Sequence, residues 1–265
     1  MYTPFTLASK YVHYYLTAGN GKGHGIHSPF VFDFVVHVLN DRRNFYAYTE
    51  IELLRNKLLR NTEEIEVEDL GAGSLSSPHR KRAIGSIARH AAKPGKYGKL
   101  LFRMVERYEP KNVLELGTSL GISTCYLASA HKQMPVLTLE GAPAVAAQAL
   151  RNFEDLGLKN IRLITGNFDT TLPKVLEVVG SPDFVFIDGN HRKQTTLNYF
   201  HQLVQRVNHR SILIFDDIHW SREMEEAWEE IRKHPSVTLT IDLFFIGIVF
   251  FKPEIRQVQH FTIRF

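Results

Sequence analysis

The stretch of residues 112–130 constrains the fold most, because it combines an apolar strand, a glycine turn and a helix. It reads N-V-L-E-L-G-T-S-L-G-I-S-T-C-Y-L-A-S-A. The apolar run before the first glycine predicts a buried strand, and Gly117 and Gly121 predict the turn. We expect the helix to open at Ser123 or Thr124. Such a turn brings bare backbone and a helix N-terminus to a ligand at the carboxyl end of a strand.

Glu115, just before the turn, narrows the class of ligand. A carboxylate at this position would repel a phosphate group, which argues against a P-loop. It suits a ligand that carries positive charge and offers amine or hydroxyl donors. The turn G-T-S-L-G also lacks the second glycine of G-x-G-x-x-G, so a dinucleotide site fits poorly.

Strands and helices alternate after residue 112, which predicts an α/β fold with a parallel sheet. The predicted parallel strands are 113–116, 136–140, 161–165, 184–188 and 211–216, and a C-terminal hairpin is predicted from 237–242 and 247–251. Residues 1–95 are predicted to form a helical extension or substrate cap, and residues 96–265 the main domain. Helices are expected within the extension at 30–39, 51–60 and 80–92, and at 98–108 beyond it, with a glycine–serine loop at 69–78 on the substrate rim.

The pattern E-x-G-x-x-x-G from Glu115 to Gly121 resembles motif I of the class I S-adenosylmethionine (SAM) methyltransferases. The resemblance implies a Rossmann-like sheet of seven strands, with five parallel units and a C-terminal antiparallel hairpin. Glu140 ends the second strand, where a carboxylate can accept both hydrogen bonds of a ribose diol. In this family the turn after the third strand borders the adenine. The implied SAM-binding residues are Glu115, Gly117, Thr118, Ser119, Gly121, Ser123, Glu140, Gly141, Asn167, Phe168 and Asp188.

Two aspartate motifs, F-V-F-I-D-G-N-H-R and I-L-I-F-D-D-I-H-W, follow the fourth and fifth strands. They resemble the metal-dependent small-molecule O-methyltransferases of the catechol and caffeoyl-CoA type and their bacterial relatives. That resemblance implies a divalent cation, Mg²⁺, on Asp188, Asp216 and Asp217, and catalysis by Asp188 with His191 as the base. Two alternatives stay open: Asp188 serves only the cofactor, or Asp217 caps the next helix. Because successive strand residues point oppositely, the Asp216–Asp217 pair shares one ion only if the chain bends there.

The predicted function is SAM-dependent methylation of a hydroxyl on a small molecule by in-line transfer, with Mg²⁺ assistance left open. One alternative is an RNA methyltransferase that uses the basic segment 79–107, which holds nine Lys and Arg residues against one acid. The chain lacks the N-P-P-Y, D-P-P-Y and Pro-Cys motifs of nucleic-acid methylation, and aromatic residues are sparse in this segment. A second alternative is a SAM-binding module without catalysis.

Composition and the termini set the expected location and partners. The single cysteine, Cys125, excludes an internal disulfide and fits a reducing cytoplasm. No signal peptide is evident, and the longest apolar run, 243–251, is too short to span a bilayer. We therefore expect a cytoplasmic protein with no membrane partner. The resemblance implies a bacterial enzyme with a small-molecule acceptor and no nucleic-acid partner. An exposed apolar N-terminal helix would favour a homodimer.

Overall fold

A computed structural model describes residues 1–68, 79–91 and 94–265 of the chain. The loop predicted at 69–78 lies outside these described residues. The helices are α1 (Pro4–Thr17), α2 (Pro29–Phe34), α3 (Tyr46–Leu59), α4 (Ile84–Ala91), α5 (Gly95–Tyr108), α6 (Ile122–Ala130), α7 (Pro143–Asp155), α8 (Phe168–Val179), α9 (Lys193–Val204) and α10 (Arg222–Arg232). The strands are β1 (Glu64–Glu68), β2 (His79–Ala83), β3 (Val113–Leu116), β4 (Val136–Glu140), β5 (Ile161–Thr165), β6 (Phe184–Ile187), β7 (Ile212–Asp216), β8 (Leu239–Asp242), β9 (Ile246–Phe250) and β10 (Gln259–Thr262).

The chain divides into two compact units, one formed by Met1–Asp41 with Leu176–Phe265 and the other by Arg42–Val175. This division does not fall at residue 95, where the sequence suggested a boundary. The first 41 residues group with the C-terminal part of the chain because α1 and the segment after it bond to that part. The backbone N–H of Gly19, for example, donates to the carbonyl of Thr262 at 2.8 Å. A substrate-cap role for residues 1–95 stays a prediction.

In the first unit, five strands lie in the order β10-β8-β9-β7-β6. Strands β6 and β7 are parallel, whereas β9 runs antiparallel to both β7 and β8. Helix α10 buries Met224, Ala227, Trp228 and Ile231. A Cβ atom at Gly247 would come within 2.7 Å of the Trp228 ring. This close approach explains why strand β9 contains a glycine.

In the second unit, β3, β4 and β5 are parallel neighbours. All four residues of β3 are buried, as expected for the centre of a parallel sheet. Helix α5 packs on α6 through Gly98, where a Cβ would approach the Tyr126 ring to 2.3 Å. The parallel register brings the carboxyl ends of β3 and β4 to the same edge, and this edge carries the glycine turn and Glu140.

Apart from β1 and β2, the described residues of the two units form eight strands. The sequence predicted seven for the parallel units and the C-terminal hairpin. The additional strand is β10, which pairs in parallel with β8 at residues 239–242. The helix predicted at 80–92 is wrong in its first part, since residues 79–83 form β2 and pair antiparallel with β1. The helix predicted at 30–39 is α-helical to Phe34 and continues as a π-helical turn over Val35–Leu39.

Helix α1 exposes several apolar side chains, including Phe5, Val12 and Leu16. The exposed face that the homodimer prediction requires is therefore present, and the dimer itself stays a prediction. Among the described helices, none has the length and apolar character needed to cross a bilayer. The cytoplasmic location also stays a prediction.

Candidate functional site

The glycine turn after β3 requires a left-handed backbone at three positions. The φ angles are 105° at Gly117, 48° at Ser119 and 80° at Gly121. Gly121 is the N-cap of α6, so the helix begins at Ile122 and not at Ser123 or Thr124 as predicted. A Cβ at Gly121 would come within 2.4 Å of the Phe153 ring, so both the backbone angle and the close packing demand glycine.

Glu115 is completely buried at the end of the strand before the turn. One carboxylate oxygen accepts hydrogen bonds from the hydroxyls of Thr138, at 2.6 Å, and Thr124. Burial raises the pKa of Glu115 to about 7, and the bonds from neighbouring hydroxyls oppose this increase. Glu115 thus ties β3 to β4 and to α6, and its contact with a ligand stays a prediction.

Glu140 fixes the turn and the next helix relative to each other. One oxygen accepts the backbone N–H of Ser119 at 2.8 Å, and the other accepts the backbone N–H of Ala142 at 2.9 Å. Burial raises the pKa of Glu140, and the backbone N–H groups, including that of Gly141, lower it in part. Each carboxylate oxygen has two lone pairs, so one bond to the backbone leaves capacity for a further donor.

The other predicted cofactor residues of the second unit follow the ends of β3 and β5. The Thr118 hydroxyl is buried and lies 2.5 Å from the Thr138 hydroxyl. Asn167 is exposed, and its Oδ1 accepts the backbone N–H of Asp169 at 2.8 Å, so its side-chain oxygen caps α8. Phe168 begins this helix and is half-buried. An adenine contact at either residue stays a prediction.

In the first unit, the predicted residues Asp188 and Asp217 lie beside the ring of His191. Its Nε2 lies 3.5 Å from Oδ1 of Asp188 and 3.9 Å from Oδ2 of Asp217. Asp188 directly follows β6, and Asp217 directly follows β7, which is parallel to β6. The parallel register therefore places both carboxylates at one edge, beside the same imidazole.

Asp216 and Asp217 have different surroundings, and the backbone turns at the second of them. Asp216 ends β7 and is only 2% exposed. Asp217 has a left-handed backbone, with φ of 55°, and its N–H donates to the carbonyl of Phe245 at 2.6 Å. The suggestion that Asp217 caps the following helix is wrong, since the Ser221 side chain accepts the N–H of Met224 and is the N-cap of α10.

A three-carboxylate metal centre is not assembled in this conformation. In the part of the chain that the structure describes, no group of three or more His, Cys, Asp or Glu side chains is arranged to hold a metal ion. The geometry thus does not match the predicted set of Asp188, Asp216 and Asp217, and Mg²⁺ binding stays a prediction.

His219, in the D-D-I-H-W motif, lies between two carboxylates. Its Nδ1 lies 3.0 Å from Oε1 of Glu225, and its Nε2 lies 2.8 Å from Oδ2 of Asp242. Burial lowers the pKa of His219, but the bonds and charges of the two carboxylates outweigh burial and raise it. The D-D-I-H-W motif contains this histidine, but its partner Asp242 lies on β8, outside the motif.

The basic segment 79–107 is partly balanced by acidic residues. In the hairpin of β1 and β2, Glu66 stands directly opposite Lys81. On α5, Glu106 forms a two-point ion pair with Arg43, with distances of 3.0 and 2.8 Å. These arrangements weaken the argument for a nucleic-acid surface, which requires uncompensated positive charge.

Comparison with known proteins finds a family match over part of the chain. Residues 114–218 match a methyltransferase domain family. The matched segment extends from β3 through β7, so it contains both the glycine turn and the two aspartate motifs. It also contains Glu140 and His191, which the geometry singled out independently.

Two curated relatives are similar to part of this chain. The catechol O-methyltransferase of Niastella koreensis is 32% identical over 124 residues, which cover 46% of this chain and 55% of that protein. The catechol O-methyltransferase of Mycobacterium tuberculosis is 31% identical over 124 residues, covering 46% and 54%. The chain thus spans about half the length of the curated relatives it matches. These matches confirm the predicted resemblance to the O-methyltransferase group.

Solved structures share the fold of this chain. The S-adenosylhomocysteine-bound methyltransferase of Podospora anserina aligns with a TM-score of 0.60 and 14% identity, over 95% of this chain and 98% of that chain. An O-methyltransferase from Bacillus cereus, in complex with the same compound, aligns with a TM-score of 0.53 and 22% identity, over 83% and 97%. The predicted Rossmann-like fold class is confirmed, with one strand more than expected.

Proposed function

We propose that this chain is a SAM-dependent methyltransferase that methylates a hydroxyl group of a small molecule. The observation that carries the proposal is the position of Glu140 against the glycine turn. Its two oxygens are oriented by the N–H groups of Ser119 and Ala142, and the carboxylate retains acceptor capacity for a ribose hydroxyl. The methyltransferase family match and the relatives named catechol O-methyltransferase support the reaction class.

The acceptor-side chemistry is assigned to His191. When bound, SAM supplies a methyl group on a positively charged sulfur, which an oxygen nucleophile displaces in line. In the proposed step, His191 takes the proton of the acceptor hydroxyl while the new C–O bond forms and the C–S bond breaks. Asp188 and Asp217 lie within 4 Å of the ring and stabilise the imidazolium that results. The products are a methyl ether, S-adenosylhomocysteine and a proton on His191.

Assistance by Mg²⁺ is a separate and finer proposal, with Asp188, Asp216 and Asp217 as the ligands. No step is assigned to the ion, because these residues are not gathered as a ligand set in the described conformation. Assays in EDTA, with and without added Mg²⁺, test it. Transfer that stops in EDTA and returns with Mg²⁺ supports the metal site, and transfer that is indifferent to chelation removes it.

Calorimetry and an acceptor screen test the main proposal. We expect S-adenosylhomocysteine to bind the purified chain, and radiolabelled SAM to methylate at least one member of a panel of phenols and hydroxylated metabolites that includes catechol. Absence of binding would refute the cofactor assignment. Binding without transfer to any phenol would favour the non-catalytic module. Transfer of the radiolabelled methyl group to RNA would favour the nucleic-acid alternative.

A further inference from the structure

The N-terminal segment of the chain bonds to the first turn of α10, far along the sequence. The hydroxyl of Tyr2 donates to Oε2 of Glu225 at 2.7 Å. The ammonium group of Lys10 donates to Oε1 and Oε2 of the same carboxylate, at 3.0 and 3.1 Å. Glu225 therefore joins the N-terminal segment to α10 by three charge-assisted hydrogen bonds, two of them from an ammonium donor.

The Glu225 carboxylate also contacts the His219 ring, which in turn contacts Asp242. Both ring nitrogens of His219 face carboxylate oxygens, which only accept hydrogen bonds. A neutral imidazole has one N–H donor. Both contacts are therefore hydrogen bonds only when both ring nitrogens carry a proton. Lys10 and His219 thus alternate with the carboxylates of Glu225 and Asp242. We name Tyr2, Lys10, Glu225, His219 and Asp242 the Glu225 network.

The Glu225 network holds the segment 217–220, which contains Asp217. The backbone N–H of Tyr2 donates to the carbonyl of Trp220 at 3.1 Å, and the N–H of Trp220 donates to the carbonyl of Asp217 at 2.9 Å. On the other side, the His219 ring stacks on Phe244, with ring centres 5.2 Å apart. A left-handed backbone such as that of Asp217 persists when surrounding contacts define it strongly, and the network supplies such contacts.

From these contacts we propose that Tyr2, Lys10 and Glu225 are positioning residues, which act through His219 and Trp220 to fix the Asp217 segment beside His191. The N-terminal helix then belongs to the acceptor side of the enzyme, although its residues do not touch the reacting atoms. The catalytic consequence depends on the proposed function, whereas the structural consequence does not.

Hydrogen exchange measured by mass spectrometry on the full chain tests the structural consequence. In Lys10→Met and Glu225→Gln, we expect the amides of residues 217–220 to exchange about tenfold faster or more, while those of β4 keep their protection. Lys10→Arg should restore slow exchange because it keeps the cation. Arg222→Ala is the matched control, since it removes an exposed ion pair to Glu226 on the same helix. Unchanged exchange at 217–220 in both test variants would overturn the proposal.

Kinetics with an acceptor that the wild type methylates test the catalytic consequence. We expect Lys10→Met to lower kcat by about tenfold with KM for SAM and affinity for S-adenosylhomocysteine unchanged, and Lys10→Arg to recover most of the loss. A wild-type kcat in Lys10→Met would overturn the positioning role. If the wild type neither binds S-adenosylhomocysteine nor transfers methyl groups, the proposed function fails, and the exchange experiment still decides whether the network holds the segment.

Discussion

Glu140 accepts the backbone N–H of Ser119 at 2.8 Å, so the acid that ends β4 is bonded directly to the glycine turn that follows β3. The predicted ribose ligand and the predicted backbone cradle are therefore one structural unit. A change at Glu140 should affect both the orientation of the turn and the binding of the cofactor. Experiments on this residue must separate the two effects.

Replacing Glu140 with alanine should weaken S-adenosylhomocysteine binding about tenfold or more, because charged hydrogen bonds contribute roughly 1.5–3 kcal/mol each. Isothermal titration calorimetry measures the effect. Glu140→Gln separates the roles, since its remaining carbonyl oxygen accepts a backbone bond without the charge. Glu154→Gln, an exposed position on α7, is the control. An affinity in Glu140→Ala equal to that of the wild type would remove Glu140 from the ribose role.

Glu115→Gln should change how stability depends on pH. Burial raises the pKa of Glu115 to about 7, above its ordinary value of 4.5. The native state therefore binds this proton more tightly than the unfolded state. The resulting stabilisation is complete below pH 4.5 and is lost as pH rises through 7, by up to about 3 kcal/mol.

Urea unfolding of both proteins at pH 5 and pH 8 measures this effect. The unfolding free energy of the wild type minus that of Glu115→Gln should be smaller at pH 8 than at pH 5. Other titrating groups are common to both proteins and cancel in that difference. The same difference at both pH values would contradict the buried-carboxylate interpretation.

Gly121→Ala should destabilise the second unit by about 2–4 kcal/mol, since a left-handed residue gains a Cβ that meets the Phe153 ring. Gly157→Ala is the matched control, with φ of 65° and no atom within 4 Å of the new Cβ. It should cost only about 1 kcal/mol, from the backbone angle alone. Equal losses in chemical denaturation would show that close packing at Gly121 is unimportant.

His191→Gln should lower kcat by about 10²–10⁴-fold, the usual contribution of a general base. Affinity for S-adenosylhomocysteine should be unchanged, because the predicted ribose ligand is Glu140 and not His191. His209→Gln, an exposed position, controls for the loss of a histidine. Full turnover in His191→Gln would assign proton removal to another group.

Local sequence patterns predicted the central strands well, because burial is visible in each short apolar run. Strands β3, β4 and β5 lie at the predicted residues. Strand β2 was missed because it depends on pairing with the acidic strand β1, which no local window contains. The motif positions of Glu115 and His219 were visible, but their partners Thr138 and Asp242 come from other elements. Sequence reasoning thus located the site residues better than it located their hydrogen bonds.

The left-handed backbone at Asp217 gives two adjacent identical residues unequal surroundings, because Asp216 is buried and the carboxylate of Asp217 lies beside His191. Which aspartate occupies which place depends on the length of the chain before it. Deleting one residue of β7 ahead of Asp216 would bring Asp217 to the buried place and Ile218 to the place beside His191. This junction should therefore tolerate neither an insertion nor a deletion.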